Sequence, residues 1–195
     1  MGRQQHSVCG DARRFEVVAD FVLDHFGRRV KHIADVAGGK GVLTRMLNRK
    51  NYDCELIDPR QSVLKGIRHR AETFRPGTAD YYDLLVGLHP DGALRALGEA
   101  ALIRPVLMVP CCNFWSQERR GQKELLAAIE VFFQRHQVDY EKIDLDFKGP
   151  KNTALVSHPS AVSLQIFHNR HGLVNLQTTV HQCRHKILRI DSAIV

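Results

Sequence analysis

The sequence of 195 residues has no long apolar run, because no stretch approaches the roughly 18 consecutive apolar residues that a membrane-spanning helix needs. Residues 1–14 also lack the apolar segment of a secretory leader. The five cysteines, two of them adjacent at Cys111 and Cys112, do not have the spacing of a disulfide framework. We therefore expect a cytoplasmic protein in a reducing compartment, without membrane association.

Acidic residues are also scarce. The chain has 28 Lys and Arg against 21 Asp and Glu, which gives a net charge of +7 and a pI of about 9.4. Residues 160–195 contain a single carboxylate side chain, Asp191. A basic balance favours a polyanionic partner such as RNA. A solvated basic surface explains the same charge, and the composition alone leaves both interpretations open.

A hydrophobic content of 44% and a charged content of 25% are ordinary for one globular domain. We predict a disordered N-terminus over residues 1–10, a domain over 11–159 and an extension of unknown structure over 160–195. The extension contains His181, Cys183 and His185 at alternate positions. This spacing matches no recognised zinc pattern, so we assign no metal to it.

Periodicity predicts alternating strands and helices. A helix should run from Arg14 to His25, begun by Asp11 and ended by Gly27. Residues 61–65 could form a brief helix, and a long amphipathic helix should cover residues 117–136. Apolar runs near residues 33–36, 55–57, 82–88 and 105–109 read as buried strands, and residues 66–70 as a short third strand between the second and the fourth. Two further strands follow the long helix.

The most informative stretch is residues 31–60. An apolar run ends in Asp35, a glycine-rich turn and a helical pattern follow, and a second apolar run ends in Asp58. Glycines at such a turn let a ligand approach the backbone, and the helix begins with free N–H groups that face it. An acid at the end of the second strand can accept hydrogen bonds from a ribose. We therefore predict a βαβ unit that binds a nucleoside.

The spacing Asp35-x-Ala37-x-Gly39-x-Gly41 resembles motif I of the class I S-adenosylmethionine-dependent methyltransferases, with Ala37 in place of the first glycine. The resemblance implies a Rossmann-like α/β three-layer sandwich, whose mostly parallel sheet has one antiparallel strand near its edge. It also implies S-adenosylmethionine as cofactor. The cofactor-binding residues that we expect on this basis are Asp35, Ala37, Gly38, Gly39, Gly41, Asp58, Pro59, Phe74 and Leu88.

Two alternatives to this interpretation of the motif remain. A glycine turn with a nearby acid also occurs in plain α/β connections. A nucleotide-dependent oxidoreductase would share the topology, but its G-x-G-x-x-G spacing is absent. Phe74 could stack on an adenine ring, as residues after the third strand do in the methyltransferases, or simply pack in the core.

Two later strand ends carry unusual residues. Residues 88–92 read Leu-His-Pro-Asp-Gly, and residues 110–113 read Pro-Cys-Cys-Asn. The pair resembles a methyltransferase subgroup with LHPCG or LHACG after the fourth strand and PCC after the fifth, a subgroup that includes some tRNA methyltransferases. Asp91 stands where the subgroup usually has cysteine. This departure puts in doubt any metal or thiol role that depends on that cysteine.

These strand ends supply the candidate catalytic residues. His89 could act as a base, since its unperturbed pKa lies near neutrality, and Asp91 could orient it or a substrate amine. The expected substrate pocket contains Pro110, Cys111, Cys112 and Asn113. The alternatives are a strand-end histidine bonded to backbone, cysteines that only pack, and a metal site formed by His89 with both cysteines.

The sequence therefore predicts methyl transfer to a nitrogen or oxygen nucleophile, with RNA as a candidate acceptor. The Asp/Asn-Pro-Pro-Tyr tetrapeptide of many enzymes that methylate adenine amines is absent, so the acceptor atom stays open. The main alternative is a methyltransferase fold that serves as a non-catalytic RNA- or protein-binding module.

Overall fold

The computed structural model of the chain describes residues 11–111, 115–116, 118, 120–149, 151–162 and 164. The predictions for residues 1–10, for Cys112 and Asn113 and for most of the extension lie outside these residues. Within these ranges, none of the helices has both the length and the apolar character needed to cross a membrane.

The elements of the described ranges alternate between strands and helices. The strands are β1 (His32–Val36), β2 (Asp53–Ile57), β3 (Arg68–Arg70), β4 (Leu84–Leu88), β5 (Val106–Val109), β6 (Asp139–Asp144) and β7 (Thr153–His158). The α-helices are α1 (Arg14–Phe26), α2 (Val42–Arg49), α3 (Leu94–Ala100) and α4 (Gln122–Arg135), and short 3-10 turns cover Gly27–Arg29 and Pro76–Tyr81.

The strands form a seven-stranded sheet in the order β3-β2-β1-β4-β5-β7-β6. Strands β1 to β5 are parallel, and β7 is antiparallel to both of its neighbours, β5 and β6. The predicted fold class is thus confirmed. Strand order reverses between β1 and β4, and ligands of open α/β sheets bind at the carboxyl ends of the strands at such a point.

Helices cover both faces of the sheet, which makes the central strands apolar throughout. Every residue of β4 is buried. On β1, Ile33 packs with α1 and α2 on one face, and Ala34 packs with α3 and α4 on the other. Successive strand residues point to opposite faces, so a doubly covered strand needs apolar side chains at all positions.

Helix α1 begins at the predicted residue and ends one residue later than predicted. Gly27 follows it with a φ of +58°, a positive value that glycine adopts readily. The N-terminal prediction was wrong in detail: the N-cap residue is Arg13, and its side chain makes no capping hydrogen bond. Asp11 instead accepts the backbone N–H of Arg13 at 2.9 Å, and so stabilises the turn that precedes the helix.

Two other helix predictions need correction. Residues 61–65 are not helical, because the N–H of Leu64 donates to the carbonyl of Lys40 at 2.9 Å and ties this segment to the glycine turn. Helix α4 begins only at Gln122. The Glu124 carboxylate accepts the N–H of Gly121 at 3.1 Å, which defines the helix start at that point.

Candidate functional site

The loop between β1 and α2 follows the strand end at the reversal of strand order. Ala37, Gly39 and Gly41 have φ values of +54°, +65° and +78°, in the left-handed region that glycine tolerates best. A Cβ on Gly38 would lie 2.3 Å from Oδ2 of Asp35. The loop backbone therefore lies directly against a buried carboxylate. Ala37 carries a backbone penalty of about 1 kcal/mol that a glycine would avoid.

Asp35 is fully buried at the end of β1, beneath this loop. Its Oδ2 accepts the backbone N–H of Thr44 at 3.1 Å and the Thr44 hydroxyl at 2.7 Å, so it satisfies a free N–H in the first turn of α2. Its Oδ1 has no hydrogen-bond partner among the described residues. Burial raises the pKa of Asp35 to about 6, although the two Thr44 bonds act in the opposite direction.

Asp58 follows β2, and its side chain has no accessible surface. Its Oδ2 accepts the N–H of Gly39 at 2.8 Å, which joins the second acid to the glycine loop. Burial raises the pKa of Asp58, but the hydrogen bonds from Arg60 and Gly39 outweigh it, so the net pKa is lowered. The carboxylate is therefore ionised at neutral pH.

Arg60 forms a bidentate ion pair with the Asp58 carboxylate. Its Nε donates to Oδ1 at 2.8 Å and its Nη2 donates to Oδ2 at 2.7 Å. The Arg60 side chain is 54% exposed, whereas Asp58 is enclosed. The guanidinium thus covers the carboxylate from the solvent side, where a ribose would have to bind. A side chain exposed to this degree can move away from its ion-pair partner at a low cost in free energy.

Three other predicted cofactor residues lie in differing environments. Pro59 is exposed between Asp58 and Arg60. Phe74 is only 4% exposed and belongs to the core cluster on the α3 and α4 face, and Leu88 is 6% exposed in the opposite cluster. The packing of Phe74 fits the core alternative. An adenine contact by Phe74 or Leu88 stays a prediction.

His89 follows β4 with a φ of +55°. Its Nε2 lies 3.0 Å from the backbone carbonyl oxygen of Lys151, and its ring meets the ring of Phe147 edge-on. Burial lowers the pKa of His89, so the imidazole is neutral at pH 7. The bond to a backbone carbonyl matches the structural alternative, while the neutral ring keeps the chemistry that a base needs.

Asp91 does not orient His89 in this arrangement. It is exposed, and no hydrogen bond joins it to His89 in the described part of the chain. Its negative charge instead helps to raise the pKa of Arg60, after the larger effect of the Asp58 hydrogen bond. Asp91 therefore acts electrostatically on the side of the site that contains the glycine loop and Asp58.

The predicted substrate pocket is described only in part. The carbonyl of Pro110 accepts the side-chain amide of Gln122 at 3.0 Å, which links the end of β5 to the start of α4. Cys111 is half-buried. Cys112 and Asn113 lie outside the described residues, so the metal alternative with His89 and both cysteines stays untested.

Sequence reasoning missed two residues of this site, Thr44 and Arg60. Thr44 lies in the first turn of the helix that follows Asp35, where a free N–H and a hydroxyl can reach an acid. Arg60 lies two positions after Asp58, close enough to fold back on it. The residue types and their spacing were visible, but no sequence pattern reports the direction of either side chain.

A groove of about 590 Å³ lies elsewhere, along α4. The Arg95 guanidinium lies 4.9 Å from the ring of Trp115 and 4.6 Å from that of Phe132, in cation–π contact with both. The residues that line the groove are Arg95, Trp115, Arg120, Glu124, Ala127, Ala128, Val131, Phe132, Arg135 and His136. None belongs to the glycine loop, so this groove is separate from the candidate site.

The chain matches no protein-family model and no curated protein sequence. It is similar in structure to the methyltransferase domain of bacterial CtHen1-CN, with a TM-score of 0.54 and 13% identity over 75% of this chain and 97% of that one. It is also similar to the sugar N-methyltransferase KedS8 from Streptoalloteichus, with a TM-score of 0.52 and 14% identity over 82% and 98% of the two chains.

A third similar structure is the plantazolicin methyltransferase BpumL, solved in complex with a triazolic desmethylPZN analog and SAH. Its TM-score is 0.51 and its sequence identity is 10%. The match covers 76% of this chain and 86% of that one. At identities of 10–14%, the likeness of the three structures concerns the fold. The fold of this chain is therefore the Rossmann-like fold that these methyltransferases share.

Proposed function

We propose that this chain is an S-adenosylmethionine-dependent methyltransferase that acts on a nitrogen or oxygen nucleophile. The observation that carries the proposal is the buried Asp58 carboxylate bonded to the N–H of Gly39, at the end of β2 and beside the reversal of strand order. The loop has no Cβ at Gly38 and Gly39, and beneath it Oδ1 of the buried Asp35 has no hydrogen-bond partner within the described ranges. These features fit a cationic nucleoside.

The acids also discriminate between cofactors. Asp58 stays ionised, and it can accept both hydroxyls of a ribose once the exposed Arg60 moves aside. Asp35 and Asp58 together place two carboxyl groups at the loop, where they disfavour a pyrophosphate. S-Adenosylmethionine, when bound, supplies a methyl group on a positively charged sulfur that is already activated for transfer.

The chain's other contribution is to the acceptor. Transfer to an activated methyl group needs alignment and exclusion of water more than it needs a strong base. His89 is neutral at pH 7 and would accept a proton where the nucleophile must lose one, and Asp91, Pro110, Cys111, Cys112 and Asn113 would border the acceptor, as in the LHPCG and PCC subgroup. The net charge of +7 favours RNA as the acceptor class.

Calorimetric titration of the purified chain tests the cofactor. We expect S-adenosylmethionine and S-adenosylhomocysteine to bind with micromolar affinity and NAD not to bind. Incubation with a labelled cofactor and total RNA should then transfer label to RNA. If NAD alone binds, the chain is an oxidoreductase and the proposal is wrong.

Asp58→Ala should weaken binding of S-adenosylhomocysteine by about 1–3 kcal/mol, or roughly five- to 150-fold, because the ribose hydroxyls lose a charged acceptor. Calorimetry measures the change. Asp53→Ala is the matched control, since Asp53 lies at the opposite end of the same strand. An unchanged affinity in Asp58→Ala, or an equal loss in the control, would remove Asp58 from the ribose site.

Arg60→Met should tighten the same binding about fivefold, because the ribose then no longer competes with an exposed ion pair that is worth about 1 kcal/mol. Methionine keeps an unbranched, flexible stem without the guanidinium donors. Arg68→Met is the control, since Arg68 is equally exposed and pairs with Asp53. Weaker binding in Arg60→Met would show that Arg60 contacts the cofactor rather than competing with it.

A non-catalytic RNA-binding module is the second candidate. Two observations favour it: Arg60 covers both oxygens of Asp58, and His89 is bonded to a backbone carbonyl. This alternative predicts that RNA binds while neither form of the cofactor does, in the wild-type chain and in Arg60→Met alike. Cofactor binding that appears only in Arg60→Met would instead indicate a methyltransferase site held closed by this residue.

A further inference from the structure

Three metal-ligating side chains converge far from the glycine loop. They are His25 in the last turn of α1, Glu141 on β6 and His158 at the end of β7. One ligand atom from each lies within 4.8 Å of the other two. Nε2 of His25 is 3.1 Å from Oε1 of Glu141. This is the one such group of three among the described residues.

The topology explains why these residues meet at the edge of the sheet opposite the candidate site. Strand β7 runs against the parallel strands, so it ends where they begin. His158 pairs with Asp139, and Glu141 is two residues further along β6, on the same face of the sheet as His158. Helix α1 packs on that face, and its carboxyl end carries His25.

Aromatic contacts hold the His25 ring and border the exposed His158 ring before any ligand arrives. The ring of His25 stacks on Phe21 at a centroid distance of 5.0 Å and meets Phe26 edge-on at 4.8 Å. The ring of His158 lies 6.1 Å from that of Phe26, which thus contacts both histidines. Arg29 donates to the carbonyl of His25 at 2.7 Å and secures the end of the helix. A ligand ring that is already oriented, as that of His25 is, loses little entropy on binding.

We propose that His25, Glu141 and His158 bind a divalent transition metal ion, with Zn²⁺ as the best match. Two imidazoles and one carboxylate are a known zinc donor set that leaves a fourth position for water. In a tetrahedral site with bonds of about 2.1 Å, ligand atoms lie about 3.4 Å apart. The observed 3.1 Å between His25 and Glu141 is close to that value, and the exposed Glu141 and His158 can adjust. The proposal does not depend on the proposed methyltransferase function.

The same contacts also suit a simple ion pair between His25 and Glu141, which would need no third residue. The chain offers a comparison for this alternative. His32 and Asp53 form an exposed pair at 2.9 Å, and no third ligand of this kind joins them among the described residues. Variants of His32 therefore measure what an ordinary pair of this type contributes to metal binding.

The experiment is calorimetric titration of the full, chelator-treated chain with Zn²⁺, with Mg²⁺ as a hard-cation control. We expect one Zn²⁺ per chain at micromolar Kd and no Mg²⁺ binding. Glu141→Gln and His158→Gln should each weaken zinc binding by at least about tenfold, as the loss of a direct ligand requires. His32→Gln should leave the Kd unchanged. Circular dichroism confirms that each variant is folded.

The alternating His181, Cys183 and His185 are a competing source of a zinc signal. The triple variant His181→Ala, Cys183→Ser, His185→Ala addresses this source. Our proposal predicts that it keeps the wild-type Kd and that Zn²⁺ still raises its melting temperature, because a ligand that binds the folded chain stabilises it. Absence of zinc binding in the wild type, or its loss in the triple variant but not in Glu141→Gln, would overturn the proposal.

Discussion

Replacing Gly38 with alanine should abolish cofactor binding and lower the free energy of unfolding by about 3 kcal/mol. The new Cβ would lie 2.3 Å from Oδ2 and 2.4 Å from both Cγ and Oδ1 of Asp35. Asp35 is fully buried and bonded to Thr44, so it cannot move aside without breaking those bonds. The loop must shift instead, and the N–H of Gly39 would move away from Asp58.

Urea denaturation and calorimetry with S-adenosylhomocysteine measure the two effects. Gly77→Ala is the matched control, since a Cβ at Gly77 meets nothing within 4 Å. It should change the free energy of unfolding by less than about 1 kcal/mol and leave binding intact. If Gly38→Ala behaves like Gly77→Ala, the close approach of the loop to Asp35 does not exist in solution.

Asp35→Asn should remove the contribution of Asp35 to the pH dependence of the free energy of unfolding. The folded-state pKa of Asp35 is raised by burial from 3.8 to about 6, so the folded chain binds the proton more tightly than the unfolded chain does. The wild type therefore loses stability as the pH rises from about 4 to about 6, by up to about 3 kcal/mol, and the loss is complete above that range. Asparagine stays neutral, so the variant does not lose this stability as the pH rises.

The unfolding free energy of Asp35→Asn and wild type, compared between pH 4 and pH 8, measures this effect. The variant should gain relative to wild type as the pH rises, while its affinity for a cationic cofactor falls. Asp83→Asn is a control, because the contribution of Asp83 to stability should depend on pH in the opposite direction. Asp83 accepts the N–H groups of Lys31 and His32, which outweigh burial and lower its pKa, so its contribution is lost at low pH. Parallel curves for Asp35→Asn and wild type would contradict the raised pKa.

The glycine loop shows how much local sequence determines. The positions of Asp35, the glycines and Asp58 predict strand, turn, helix and strand, and the structure has these elements close to the expected places. The reason is physical: apolar periodicity and the left-handed freedom of glycine act over a few residues. The same local rules gave the α/β class, because strands alternating with helices cover a parallel sheet on both faces.

The candidate site was only partly predictable. Asp58 lies at the loop as expected, but its pairing with Arg60 depends on the direction of an exposed side chain, which no periodicity reports. His89 and Asp91 are close in sequence, yet the structure bonds His89 to the distant Lys151. That contact requires the turn between β6 and β7 to reach the carboxyl end of β4, which is a property of sheet topology.

The sequence by itself determined most of the strands and helices, the glycine turn and the identity of the two acids, because these follow from interactions between near neighbours. Only the tertiary structure decided that Asp35 is enclosed with a raised pKa, because burial depends on every element packed around it. It also decided that His25 meets Glu141 and His158, which are more than 100 positions away along the chain. The register of β6 and β7 and the packing of α1 bring these ligands together.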